Sequence, residues 1–124
     1  MRTAKVMVLP YDRAWKAAFE AIKMEIERAI GDLVIGIEHV GSTSVEGLSA
    51  KSHLMTHHLY VCPRNARELH RHITFRDYLR SQPEAVKQYG AVKEEGARRF
   101  PDDIEGYIAH KTPCIEEIYR YLKL

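Results

Sequence analysis

At 124 residues the chain is about the size of one domain, since a typical domain has roughly 100–200, so a single domain is predicted. Hydrophobic residues make up 45% and charged ones 29%, which suits a soluble globule and excludes a disordered tail. Nineteen Lys and Arg against seventeen Asp and Glu give +2 with His neutral, too balanced for a nucleic-acid or membrane surface.

In chain order, Val6–Leu9 is a short apolar run ended by Pro10, a lead-in segment or edge strand. Asp12 is placed to cap a helix whose apolar positions are Trp15, Ala18, Phe19, Ile22, Ile26, Ala29 and Ile30. Steps of three and four make one stripe at the helical period, and Gly31 stops the helix as a residue just past its end. Val34–Val40 is β-branched and short and reads as a strand, running into the polar turn Gly41-Ser42-Thr43-Ser44. A second strand is expected at His57–Cys62, closed by Pro63. The remainder is helical. One helix opens at Pro63 or Asn65 and runs to Arg80, with Leu69, His72, Ile73, Tyr78 and Leu79 inward. A second is capped by Ser81 or Gln82, carries Pro83 in its first turn and runs to about Arg99. A third starts near Asp103 and passes Pro113, where a kink or a fresh start capped by Thr112 is expected.

Cys62 and Cys114 match no metal or redox spacing and read as reduced thiols in a cytoplasmic protein. The first residues hold too short an apolar run for a signal peptide, and no stretch approaches the roughly 18 apolar residues of a membrane span. Neither a membrane nor a specific nucleic acid is expected as a partner.

The sharpest local feature is the segment from Glu38 to Val45. A strand that ends in Gly-Ser and turns presents N–H groups and hydroxyls that suit phosphate oxygens, although Gly41-Ser42-Thr43-Ser44 also fits a plain turn. The run from His39 to Lys51 resembles the signature of the GrpB family, in which Gly-Ser-Thr-Ser/Ala-Val-Pro-Gly-Leu-x-Ala-Lys-Pro follows a strand. Phe75–Arg80 followed by Pro83-Glu84 is similar to a second hallmark. Tyr89 with Lys93 and Tyr107 with Lys111 resemble that family's C-terminal helices, and Tyr11 with Trp15 its first helix. The resemblance covers nearly the whole chain.

The resemblance implies an α+β fold, a small nucleotidyltransferase-like domain of the DNA polymerase β type. Its short, truncated mixed sheet would pack against several helices. In such proteins a Gly-Ser turn holds a triphosphate and strand carboxylates hold divalent metal, which polarises the phosphoryl group. Here Lys51 is followed by Ser52-His53-Leu54-Met55-Thr56-His57-His58, with no Asp or Glu between Glu46 and Glu68. Met55 and His57 occupy the positions where the resemblance places the carboxylate pair, and Glu46 replaces its Pro. The domain therefore reads as shortened between about 52 and 57, and Glu38 could supply one oxygen ligand where two or three are needed.

Catalysis is accordingly expected to be impaired, with binding of a nucleotide or phosphorylated small molecule retained at Gly41, Ser42, Thr43, Lys51, Arg76, Lys93 and Lys111. Glu38 and His39 support the turn, and magnesium enters only with a bound nucleotide. Taken singly, each Lys or Arg fits a solvated helix face. The alternative is a non-catalytic interaction module that uses the helical C-terminal half. Loss of a strand would also open a sheet edge to self-association. Among the seven His, His53 and His57 are four apart, a workable metal spacing on a helix. His57 and His58 diverge on a strand, as His70 and His72 do on a helix. No carboxylate or Cys completes a set.

Overall fold

The structure, a computed structural model, describes residues 6–51 and 59–124. Two short strands, β1 (Val8–Leu9) and β2 (Ala50–Lys51), and four helices, α1 (Ala14–Ile30), α2 (Arg67–Ser81), α3 (Pro83–Arg99) and α4 (Ile104–Leu122), make up the regular structure. The class is α+β, as expected. The sheet is a two-stranded antiparallel ladder pairing Val8 with Lys51 and Leu9 with Ala50.

The core lies where α2, α3 and α4 meet the segment after the Gly-Ser turn. Val45, Leu48, Leu79, Tyr89 and Ile118 are buried together, and Phe75, Tyr78, Val86, Cys114, Ile115 and Leu122 pack around them. The α3–α4 pairing is the most extensive among the described residues. It closes over Gly96, where an added Cβ would lie 3.1 Å from both Tyr107 and His110. Lack of a side chain at Gly96 lets the two helices approach. Asp103 caps α4 by accepting from the Gly106 amide at 3.0 Å, and the Val6 amide ties the N-terminal lead to Pro101 O at 2.8 Å.

Several expectations are corrected. Residues 34–40 form no strand. Val, Ile and Thr favour a pleated, half-buried surface rather than an isolated extended backbone, and no neighbouring strand pairs with this segment among the described residues. Ile35 instead stands 79% exposed. Residues 59–63 are likewise irregular, and His57 and His58 lie outside the described residues together with His53 and Met55. The strand that does pair with β1 is Ala50–Lys51, which carries no β-branched residue to advertise it.

Gly31 does not take the left-handed conformation of a helix stop. Its φ of −57° and ψ of −32° carry the chain into a 3-10 turn over Gly31–Leu33. The Asp12 carboxylate accepts from the Ala14 amide at 2.9 Å, so the expected acidic start of α1 holds. α2 begins at Arg67 rather than at Pro63 or Asn65, and α3 spans Pro83–Arg99 as its proline predicts. α4 continues through Pro113 without a break. Thr112 caps no new helix; its hydroxyl donates to Ile108 O at 2.7 Å within the same one.

Candidate functional site

The Gly-Ser turn is built by one glycine and three helices. Gly41 sits at φ +86°, the left-handed region that a side chain strongly disfavours, and bends the backbone into a 3-10 turn over Ser42–Ser44. The Ser44 hydroxyl closes that turn on Gly41 O at 2.5 Å. Arg76 and Arg80, one turn apart on α2, grip its two sides. Arg76 donates to the Glu38 carboxylate at 2.7 Å and to His39 O at 3.1 Å, while Arg80 donates to Ser44 O at 3.0 Å. From α1, Phe19 stacks on the His39 ring at 4.5 Å, and His39 Nε2 lies 2.9 Å from the Thr43 hydroxyl. Burial, then the charges of Arg80 and Arg76, lower the His39 pKa below its ordinary value, which favours the neutral ring near neutral pH.

α3 supplies the other flank. Lys93 is only 2% exposed and donates to the Ser42 hydroxyl and to Ser49 O, the latter at 3.0 Å. Its ammonium lies 4.6 Å from the Tyr89 ring centre, and Lys111 of α4 lies 5.1 Å from that of Tyr107. Burial, reinforced by the Lys111 charge, pulls the Lys93 pKa down to about 7. Burial, with Lys51 adding to it, also lowers that of Lys111. Among the described residues, no carboxylate lies within ion-pair distance of Lys51, Lys93 or Lys111. Tyr107 is fully buried, its hydroxyl has no hydrogen-bond partner among the described residues, and burial raises its pKa to about 12.

The residues expected to bind phosphate thus fall into two groups. Ser42, Lys93, Lys111 and Lys51 form a chain of contacts and mutual repulsion on the α3–α4 side of the turn. Arg76 is engaged on the α2 side by Glu38, Asp77 and the backbone, and Thr43 by His39. Arg80, Ser49 and the Tyr107 hydroxyl were not foreseen as site residues. Arg80 had a signal, its place four residues after Arg76 on one helix face. Ser49 acts through its carbonyl, which any residue supplies. Two surface clefts lie away from this cluster, one lined by Arg64, Asn65, Leu69, His70 and Ile73, the other between α2, α3 and α4 around Cys114 and Tyr121.

Magnesium, which a nucleotidyltransferase likeness implies, does not fit this donor set. Among the described residues no group of three or more His, Cys, Asp or Glu could hold a metal ion, and Glu38 at the turn is ion-paired to Arg76. The lysines beside Ser42 would repel a divalent cation. No helix among the described residues is long and apolar enough to cross a membrane.

The likeness to known proteins spans the same elements. The family described as GrpB protein matches residues 5–54 and 51–121, two pieces that meet just after β2. The UPF0157 protein YqkA of Bacillus subtilis is 25% identical over 156 residues, covering 90% of this chain and 46% of that protein. The UPF0157 protein PA4798 of Pseudomonas aeruginosa is 29% identical over 162 residues, covering 92% of this chain and 66% of that protein. The chain therefore spans about half to two-thirds of the length of these relatives. The fold matches the crystal structure of conserved protein GrpB from Enterococcus faecalis with a TM-score of 0.76 at 23% identity, over 91% of this chain and 99% of that one. With the family match running through the Gly-Ser turn and all four helices, the chain belongs to the GrpB family.

Proposed function

We propose that this GrpB-family chain binds a phosphate-bearing small molecule, such as a nucleotide, at the Gly41–Thr43 turn and does not transfer the phosphoryl group. The observation that carries this reading is Lys93, buried against Ser42 beside Lys111 and Lys51 with no carboxylate within ion-pair distance among the described residues. An anion at Ser42 supplies the missing counter-charge in a partly desolvated setting, where Coulomb attraction exceeds its value in water. Catalysis is disfavoured because no donor set that would hold magnesium is assembled among the described residues. The two-piece family match at 51–54, together with matches to relatives that run longer than these 124 residues, supports a domain shortened at that point. Calorimetric titration with ATP and CTP tests the reading. Saturable heat that vanishes in the double variant Ser42→Ala, Lys51→Ala is expected, with no nucleotide incorporated onto an acceptor. Unsaturating heat unchanged by that variant would reject binding, and chelator-sensitive incorporation would reject the loss of catalysis.

A second reading, self-association, draws on the exposed apolar side chains Met24, Ile30, Leu33 and Ile35 of α1 and the loop after it. It puts the contact on the N-terminal half rather than on the helical C-terminal half, and mass measurement by light scattering across a dilution series decides it.

A further inference from the structure

Lys93 sits at the meeting point of α3, α4, β2 and the Gly-Ser turn, and every charged group that perturbs it or Lys111 is a cation. Lys111 faces Lys93 from α4, and Lys51 faces Lys111 from β2. The groups that contact the Lys93 and Lys111 ammoniums are neutral. Tyr89 lies under the Lys93 ammonium, Tyr107 under that of Lys111, and Ser42 and Ser49 accept hydrogen bonds from Lys93. The fully buried Tyr107 hydroxyl, on the same stretch of α4 as Lys111, lacks a partner among the described residues. Like charges gathered without a counter-ion raise the energy of the unliganded fold, and an unpaired buried hydroxyl adds a desolvation cost. The first of these costs falls if a compact, multiply charged acceptor enters.

We propose that the Lys51–Lys93–Lys111 cluster takes a terminal phosphate dianion that arrives without magnesium, in the manner of a phosphomonoester rather than a metal-bound triphosphate. This deepens the phosphate-binding reading above and rests on it. A magnesium-bound triphosphate brings a cation that needs carboxylates, whereas a bare phosphoryl group brings two negative charges and three acceptor oxygens to three ammonium groups. The charged lysines pair with the anion, so ligand binding draws protons onto Lys93 and Lys111 and strengthens as the pH falls from about 9 toward 7, until the phosphate itself begins to protonate near its second pKa of about 6.

The test is calorimetric titration of the chain with inorganic phosphate, AMP and ATP, each in chelator and in excess magnesium, and in two buffers of different ionisation enthalpy. Phosphate and AMP are expected to bind in chelator with a buffer-dependent heat that reports proton uptake. Magnesium should weaken ATP binding severalfold, and Lys111→Gln should weaken phosphate binding at least about tenfold. Lys51→Gln, on β2 rather than in the α3–α4 packing, gives a second variant should Lys111→Gln fail to fold by circular dichroism. Tighter ATP binding in magnesium, with phosphate and AMP inert, would overturn the metal-free assignment while leaving phosphate binding at the turn intact. Phosphate binding unchanged in the folded lysine variants would overturn the cluster as its site. Binding of none of the ligands under either condition would overturn the phosphate-binding reading itself.

Discussion

α1 and α3 are both 17 residues long and both carry an apolar stripe, yet α3 buries Tyr89, Gly90, Lys93 and Gly96 while α1 buries none. The difference lies in what faces each helix. α3 is covered by α4, α2 and the segment after the Gly-Ser turn, and its glycines let those elements approach closely. α1 leans on its following 3-10 turn and on the Gly-Ser turn, so Trp15, Phe19, Ile22 and Ile26 are half-buried and Ile30 is exposed. Amphipathic patterning states which face of a helix would be buried, and an opposing layer decides whether it is.

The sharpest way to break this contrast is to truncate one side chain on each side of it. Leu48→Ala, at a fully buried position, should cost about 2–5 kcal/mol, and Ile22→Ala in α1 less than about 1 kcal/mol, both read from urea unfolding. Equal losses would mean that α1 is packed as firmly as the core. Gly96→Ala comes next. Its methyl group would press on Tyr107 and His110, so a destabilisation of about 1–3 kcal/mol is expected from the same measurement. An unchanged midpoint would show that α3 and α4 have room to separate.

The smallest effect per unit of perturbation is a pH dependence centred on Lys93. Lys93 titrates near 7 when folded and near 10.5 when unfolded, so between those values the unfolded chain holds more protons. Stability of the unliganded protein should therefore rise with pH across that window, by up to about 1.4 kcal/mol per pH unit from this one group, and fall as the pH returns toward 7. The lowered pKa of Lys111 acts with the same sign. Above about pH 10 the raised pKa values of Tyr89 and Tyr107 act in reverse, because tyrosinate forms first in the unfolded chain. Melting temperatures between pH 7 and 9.5 should slope upward, and Lys93→Met should flatten the slope. A slope untouched by that variant would mean that Lys93 is solvated.

Much of the helical half was legible because its signals are local. Pro83 in a first turn and Asp103 at a cap act within four residues, and both mark the helices they predict. The turn at Gly41 was legible for the same reason. Failures came where a local preference needs a distant partner. The β-branched run Val34–Val40 has the composition of a strand and nothing to pair with among the described residues, whereas Ala50–Lys51 lacks that composition and pairs with β1. Gly31 fits a helix stop by type, but its backbone stays right-handed. Pro113 removes one amide from α4, and packing against α3 keeps that helix continuous.

Residue types and spacing alone determined the family, the helical weighting and the turn at Gly41, since each is written in neighbours along the chain. The resemblance singled out Lys51, Lys93 and Lys111 from the sequence, but their burial and mutual crowding were decided only in three dimensions. By spacing alone Lys93 and Lys111 each fit a solvated helix face, and it takes the convergence of β2, α3 and α4 to bury Lys93 and crowd it with Lys111, with no carboxylate within ion-pair distance of either among the described residues. Desolvation and charge repulsion depend on distances through space, which residues 18 to 60 positions apart acquire only when the chain has folded.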